Sequence, residues 1–354
     1  MMSHYFLLSC LVVLALVGAE LSHFATNSTI GATDRKFAWS TGTPGRLQWL
    51  GNEGYCGEVS QIMAGLRYGQ YVSQYDARTF GAVTKTNIQT SAKNWYLPGD
   101  TAPEHDKVAK LKSTEYPAEV VSPERYFAWA KKEMRKGNTV IMTVFMNYAL
   151  FYGTKRPNLG EEDYDHIVSL TQLQSDYDDD EYHEEDLFTI DDHGLYAPRP
   201  RNPQYYFTYT AKGFAGNRAQ ANSDTGNVYT VPSDYTNFGT SISGVADTNG
   251  DTLPCTVVDS ANYEDPPIVD GSNARPASME ITLTVTVSGL QDGVKYKLYK
   301  YDDENKVPTS SFNKHASDAV GVYDIIGTCS PYVMTEKVQS NQKVFFRAVR
   351  ADAK

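Results

Sequence analysis

The chain of 354 residues has little positive charge, few cysteines and only one long apolar run. Lys plus Arg number 32 and Asp plus Glu number 43, which gives a net charge of -11. Binding to duplex nucleic acid or to anionic lipid needs a basic face, so both classes of partner are disfavoured. The sequence also lacks a Walker-type phosphate loop, a Gly-x-Ser-x-Gly nucleophile elbow and zinc-ligand spacings of Cys and His. It therefore predicts no nucleic-acid partner, no cofactor and no metal.

The single apolar run, residues 5–18, lies at the N-terminus. It is shorter than the roughly 20 apolar residues of a comfortable transmembrane helix, and small residues follow it at signal-peptidase spacing. We therefore predict a signal peptide over residues 1–19, with an uncleaved anchor as the alternative. The protein is then secreted or resident in the lumen of the secretory or endolysosomal route, with no membrane insertion after cleavage. Asn27, in Asn-Ser-Thr, would be a glycosylation acceptor in a eukaryotic secretory route.

The cysteine count is odd once the signal peptide is removed. Cys10 leaves with that segment, and Cys56, Cys255 and Cys329 remain. An oxidising compartment favours one disulfide plus one unpaired thiol for three cysteines. Because Cys255 and Cys329 share the β-rich C-terminal part, we predict that they are bonded to each other and that Cys56 is not.

The order of predicted elements is that of an α+β protein. Apolar residues recur at helical spacing from Cys56 to about Tyr71, and Ser122-Pro123-Glu124 begins a second helix that stops at Gly137. Strand-like segments follow, at residues 139–148, 166–174, 187–191 and 204–211. Helices followed by a run of strands indicate an α+β domain rather than alternating βα units.

Composition divides the chain after the signal peptide into four parts. Residues 20–45 are predicted to be a polar leader, and residues 46–215 the helix-and-sheet domain. Residues 216–275 are rich in Gly, Asn, Ser, Asp and Pro, which predicts a loop-rich linker. Residues 276–354 alternate apolar and polar side chains, which predicts a small all-β, sandwich-like domain. Its segment 289–302 resembles fibronectin-type-III-like modules, and we expect this domain to bind a surface or a glycan ligand.

Cys56 stands in a setting suited to a nucleophile. A glycine turn at Gly54 leads into a helix with the cysteine in its first turn. The unpaired N–H groups and positive dipole end of a helix N-terminus favour thiolate over thiol. Gly57 leaves room for a substrate to approach. The alternative is that Cys56 is a buried, inert thiol.

A base and an orienting carboxylate are predicted on two paired strands. His166 begins one strand and Asp191 ends the next, so antiparallel pairing would bring the carboxylate to the imidazole. Asp192 is the alternative partner if the register differs by one residue. The alternative to catalysis is that His166 is an ordinary strand histidine and that the two aspartates only begin a turn.

Region 46–195 resembles the double-glycine, or bacteriocin-processing, branch of the papain-fold cysteine peptidases. The matching motifs are Cys56-Gly57, His166-Ile167-Val168 and Ile190-Asp191. The resemblance implies a papain-like fold, in which a helix carrying the cysteine packs on an antiparallel sheet. It also implies a secreted thiol hydrolase that cleaves an amide bond of a peptide or protein substrate, with Cys56 as nucleophile, His166 as base and Asp191 orienting it.

Two positions depart from the family pattern. The family's oxyanion-hole glutamine would fall at Leu50, so Gln48 or Asn52 is the candidate donor to the oxyanion. The proline that follows the family's aspartate is replaced by Asp192. Two other functions remain open: a non-catalytic secreted binding or adhesion protein on the same scaffold, and a transglutaminase-type acyl transferase.

Two acidic segments could attract a hard cation. Residues 176–186 contain eight carboxylates in eleven residues, and we predict a solvated hairpin tip there, with Ca²⁺ binding as the alternative. Residues 247–251 resemble the start of a calcium loop, but the glutamate that would close it is missing. We therefore predict a turn at that segment.

Overall fold

A computed structural model describes residues 35–48, 54–117, 120–153, 156–195, 205–260 and 273–353. The predicted signal peptide, Asn27 and Asn52 lie outside the described residues. The helices within these ranges are α1 (Cys56–Arg67), α2 (Gln74–Phe80), α3 (Ala102–Val108), α4 (Pro123–Arg135), α5 (Tyr148–Tyr152), α6 (Ala211–Phe214) and α7 (Arg218–Ala221), with 3-10 turns at Ala92–Asn94 and Phe312–Asp318. In this part of the chain, no helix has the length and apolar character needed to cross a bilayer.

Strands outnumber helices, and the α+β class is confirmed. The strands of the first 245 residues are β1 (Phe37–Ser40), β2 (Gln70–Val72), β3 (Leu111–Glu115), β4 (Thr139–Met146), β5 (His166–Ser175), β6 (Leu187–Asp192), β7 (Tyr205–Thr210), β8 (Ala215–Gly216), β9 (Tyr229–Pro232) and β10 (Gly239–Val245). The later strands are β11 (Thr252–Leu253), β12 (Cys255–Asp259), β13 (Glu280–Val287), β14 (Lys295–Tyr301), β15 (Gly321–Ile326), β16 (Tyr332–Gln339) and β17 (Lys343–Arg350).

The main sheet has nine strands and carries the predicted strands β4 to β7 side by side. Its order is β3-β10-β4-β5-β6-β7, with β1 added to β5, β9 added to β4 and β8 beside β9. All pairings in it are antiparallel except that of β8 with β9. Part of the predicted leader therefore belongs to the fold, because β1 pairs with the far end of β5.

Helix α1 lies between the main sheet and the C-terminal strands. Its apolar residues Ile62 and Leu66 are buried in a core that also contains Ile167 of β5 and Leu283 of β13. The helix ends at Arg67, four residues earlier than predicted, because Gly69 takes a left-handed conformation (φ +77°) and begins the turn into β2. The main sheet and the C-terminal strands are thereby joined through one helix.

Helix α4 covers the opposite face of the main sheet and has the predicted ends. The Ser122 hydroxyl accepts a hydrogen bond from the backbone N–H of Arg125, and Pro123 occupies the first turn. Phe127, Ala130 and Met134 are buried against the sheet, as their spacing predicts. Burying both faces explains why β4 has no exposed residue.

The C-terminal strands form two further antiparallel sheets, β12-β13-β16 and β11-β17-β14-β15. Two boundary predictions are wrong. The described part of the predicted linker 216–275 carries strands, and β10 lies inside the main sheet between β3 and β4. The C-terminal sheets also take strands from outside residues 276–354, since β2 pairs with β17 and β12 pairs with β13. The composition of residues 216–275, which is rich in Gly, Asn and Ser, did not indicate these strands, because they are short and pair with distant parts of the chain.

The predicted disulfide between Cys255 and Cys329 is wrong, because the Cys255 thiol is unbonded. Cys255 lies opposite Val287, and Val287 lies opposite Tyr332 on the next strand. Two strand spacings therefore separate Cys255 from Tyr332, the first residue of β16, by about 10 Å. Cys255 is also buried against Gly69, whereas Cys329 is exposed in the loop before β16.

The acidic segment joins β5 to β6 as a hairpin, but it is more than a solvated tip. Lys131 of α4 is fully buried and forms ion pairs with Asp186 (2.8 Å) and Asp179 (3.2 Å). Arg135 of the same helix pairs with Asp178 and Asp180. The carboxylates therefore tie the hairpin to α4, since two basic residues one helical turn apart face them.

Candidate active site

The start of α1 is held by a buried ion pair. Arg78 of α2 pairs with Glu58 of α1, and the side chains of both are inaccessible to solvent. The Arg78 guanidinium also lies 3.8 Å from the ring centroid of Tyr55 and donates to the carbonyl of Gly54. Arg78 therefore contacts Gly54, Tyr55 and Glu58, which lie on either side of Cys56. This arrangement positions Cys56, the first residue of α1.

Two glycines, Gly54 and Gly57, lie on either side of Cys56 where the chain is closely packed. Gly54 has φ +74°, and a side chain there would collide with the Trp95 indole. A Cβ at Gly57 would collide with the carbonyl oxygen of Tyr96. Close backbone packing, rather than room for a substrate, accounts for Gly57. Cys56 itself is partly exposed, unlike the buried residues that follow it.

His166 begins β5 as predicted and is 1% exposed. Its Nε2 lies 3.7 Å from Oδ1 of Asp192, which ends β6. The Tyr229 ring stacks on the imidazole, with centroids 5.3 Å apart and an interplanar angle of 29°. The pKa of Tyr229 is raised well above its ordinary value, first by burial and then by the charge of Asp192. Stacking on one face and a carboxylate at the edge restrict the rotation of His166.

Both Cys56 and Asp192 affect the pKa of His166. Burial alone would lower the pKa of this imidazole, because a charged ring is poorly solvated there. The Asp192 carboxylate and the Cys56 sulfur oppose that effect and raise the pKa of His166 to about 9. The charged form of the His166 imidazole is therefore favoured by a carboxylate and by a cysteine sulfur.

Asp191, the predicted orienting residue, does not face His166. It lies opposite Ser169 of β5, and adjacent residues of a strand point to opposite faces of the sheet. The pKa of Asp191 is raised well above its ordinary value by burial and by the neighbouring Asp192 charge, and a hydrogen bond with Tyr206 opposes this. The structure therefore places the alternative, Asp192, at the histidine. The antiparallel pairing of the two strands was predicted correctly, and the facing residue was one position off.

Cys56, His166 and Asp192 are called the Cys56 cluster below. Gln48, one of the two oxyanion candidates, lies at the edge of this cluster. Its backbone N–H donates to the carbonyl oxygen of His193 at 2.9 Å, and its side chain is buried. His193 packs edge-on against His166, with ring centroids 5.0 Å apart. The segment that carries Gln48 is therefore anchored to His193, beside the imidazole of His166.

Sequence reasoning missed three residues that hold the cluster: His193, Ser60 and Tyr229. The Ser60 hydroxyl of α1 lies 3.0 Å from Nε2 of His193, which ties the helix to the end of β6. A signal for His193 was present, since it directly follows the two aspartates. Tyr229 lies 63 positions after His166 in a polar stretch, and no local pattern could have indicated it.

A metal-ligating set is also present among the described residues. His166, Asp192 and His193 each offer a ligand atom within 4.8 Å of the others, and all three are buried. Ser60 already contacts His193, and Cys56 raises the pKa of His166. A cation bound to the His166 nitrogen would compete with the proton for that nitrogen. His166 therefore cannot bind a cation and act as a base for Cys56 at the same time.

A scan of the chain against protein-family models and a search of the curated proteins found no match. The geometry of Cys56, His166 and Asp192 is therefore what bears on function.

Proposed function

We propose that this protein is a secreted, papain-like thiol hydrolase that cleaves amide bonds of peptides or proteins. The observation that carries the proposal is the buried His166, whose Nε2 lies 3.7 Å from the Asp192 carboxylate and whose pKa is raised by Asp192 and by Cys56. A thiol becomes a useful nucleophile when a base removes its proton and a third group orients that base. These three residues supply one group for each task.

Each residue has a distinct task in the proposed reaction. Cys56 attacks the carbonyl carbon, and His166 first takes the thiol proton and then gives it to the leaving amine. Asp192 orients the imidazole and stabilises its charged form. Attack by water then releases the acyl group from sulfur. In this assignment Asp191 takes no part in the chemistry.

The developing oxyanion needs donors beside Cys56. The backbone N–H of Cys56 lies in the first turn of α1, where N–H groups have no partner within the helix. The Gln48 amide is the second donor in this proposal, because its segment is anchored to His193. Gln48→Ala should therefore reduce kcat more than it raises KM.

A metal centre is the second candidate function, favoured by the set His166, Asp192 and His193. The two candidates respond in opposite ways to a chelator and to thiol modification. A thiol hydrolase keeps its activity in a chelator and loses it on alkylation of Cys56. A metal hydrolase loses its activity in the chelator and regains it on addition of Zn²⁺.

Digestion of a defined peptide mixture, followed by mass spectrometry, tests the proposal. We expect new peptide termini with the parent protein and none with Cys56→Ala or His166→Ala. Reactions with an added primary amine distinguish hydrolysis from acyl transfer, since a transferase would join the amine to the substrate. Cleavage by Cys56→Ala at the parent rate would overturn the proposal.

A further inference from the structure

A cavity of about 410 Å³ lies where the C-terminal end of α1, the β3–β10 edge of the main sheet and the C-terminal strands meet. It is separate from the Cys56 cluster, which lies at the opposite end of α1. Four basic residues line it, Arg67, Lys112, Lys136 and Arg347. The chain as a whole is acidic, with a net charge of -11, so the lining of this cavity differs in charge from the rest of the protein.

Most of this positive charge is not neutralised by the protein. Within the described residues, the ion pairs include none from a carboxylate to Arg67, Lys112 or Arg347. Only Lys136 has one, with Glu133. Asp247 is the one acidic residue in the described lining. Its oxygens accept hydrogen bonds from the backbone of Asn249, Gly250 and Thr252 and from the Thr252 hydroxyl, all in its own loop.

Arg347 is the strongest indication that a ligand is needed. It is 1% exposed, and it donates hydrogen bonds to neutral acceptors, the carbonyl oxygens of Tyr68 and Phe346 and the amide oxygen of Gln70. Its buried Nε has no hydrogen-bond partner. Buried charges in proteins are normally paired, because an uncompensated buried charge is strongly unfavourable. Burial lowers the pKa of Arg347 to about 10, although Cys255, Tyr301 and Asp247 oppose that effect.

The rim of the cavity is open where a ligand would enter. Gly137, Gly244 and Gly250 all line it, and a Cβ added to any of them would meet no atom within 4 Å. Gly244 also lies at a β-bulge, where the pairing of β10 with β3 shifts by one residue. The backbone there approaches the cavity without a side chain in between.

We propose that this cavity binds a small molecule through a phosphate or sulfate ester group. Three cations without acidic partners match a doubly charged or strongly ionised tetrahedral oxyanion better than a single carboxylate. The volume is typical of a small-molecule site and exceeds that of a bare oxyanion, so the organic part of the ester occupies the remainder. The amide-hydrolase proposal does not depend on this site.

Isothermal titration calorimetry of the full chain at low salt tests this site. The probes are glucose 6-phosphate, glucose 6-sulfate and glucose, which share the sugar and differ in the charged group. We expect at least one ester to bind while glucose does not, and the tighter ester identifies the group. Lys112→Gln and Arg67→Gln should each weaken that binding by about tenfold, because each removes one charged contact.

Lys93→Gln is the matched control, since Lys93 is also exposed but lies outside the lining. It should bind the ester as the parent does. Lys112 is exposed, so its replacement leaves the fold intact even if Arg67→Gln does not. Failure of both esters to bind, equal binding of glucose, or equal losses in Lys93→Gln and Lys112→Gln would overturn the proposal.

Discussion

At the scale of single residues, two neighbouring aspartates have different surroundings although both are fully buried. Asp192 lies against the imidazole of His166 and near the Tyr229 ring, whereas Asp191 contacts Tyr206 on the other face of β6. The charge of Asp192 has a partner in the imidazolium. The raised pKa of Asp191 means that its neutral form is favoured. The period of two along a strand, rather than distance along the chain, decides which one serves the histidine.

Asp192→Asn should therefore reduce turnover far more than Asp191→Asn. In serine enzymes with an equivalent Ser-His-Asp triad, loss of the orienting carboxylate lowers kcat by up to about 10⁴-fold. An asparagine at position 191 resembles the protonated carboxyl that burial favours, so activity should change little. Steady-state kinetics on one peptide substrate compares the pair, and equal losses would show that Asp192 has no special role.

His166 predicts a particular dependence of stability on pH. Its pKa is about 9 in the folded protein and near 6.5 in an unfolded chain, so the folded state binds the proton more tightly. The stabilisation is complete below pH 6.5 and is lost as pH rises through 9, a total on the order of 3 kcal/mol. The difference in unfolding free energy between the parent and His166→Gln should shrink over that range in urea titrations. A difference that stays constant from pH 6 to 10 would contradict the assignment.

At the scale of elements, α1 connects the cluster to both halves of the molecule. The helix was predictable, because Val59, Ile62, Met63 and Leu66 repeat at helical spacing and all are buried. What fixes its first turn was not predictable. Arg78 lies 20 positions after Glu58, and a sequence pattern does not show which charged residues will be buried together.

Breaking that pair should lower both stability and activity. Arg78→Met leaves the Glu58 charge buried without its partner, which typically costs about 3–5 kcal/mol. Arg350→Met is the matched control, because Arg350 pairs with Asp352 at the surface, where a pair contributes at most about 1 kcal/mol. Urea unfolding measures both variants. Equal midpoints for the two would mean that the buried pair does not hold the start of α1.

At the scale of the whole molecule, the two predicted domains share strands and a core. Strand β2 follows α1 and pairs with β17 near the C-terminus, and one apolar cluster contains residues from α1, β5, β13 and β17. Patterning identified strands at both ends of the chain. It did not reveal that β2 and β17 pair, because their paired residues, such as Val72 and Lys343, lie about 270 positions apart and local periodicity carries no information about distant partners.

Removal of residues 276–354 should therefore unfold the N-terminal part instead of releasing a stable domain. The truncation exposes the apolar side of α1 and leaves β2 unpaired. The full chain should show one cooperative unfolding transition by circular dichroism and by tryptophan fluorescence. Two well-separated transitions, or a truncated protein as stable as the parent, would contradict a shared core.

The central claim is that His166 and Asp192 activate Cys56, and the alkylation rate of this thiol tests it most directly. Iodoacetamide labelling at pH 6.5, followed by peptide mapping, reports on Cys56 alone and needs no knowledge of the substrate. We predict that Cys56 in the parent and in Asp191→Asn reacts at least about ten times faster than in His166→Ala, because only the thiolate is nucleophilic. The alkylation rate of Cys56 in Asp192→Asn should lie between the rates in the parent and in His166→Ala. Equal rates in all four proteins would contradict the claim.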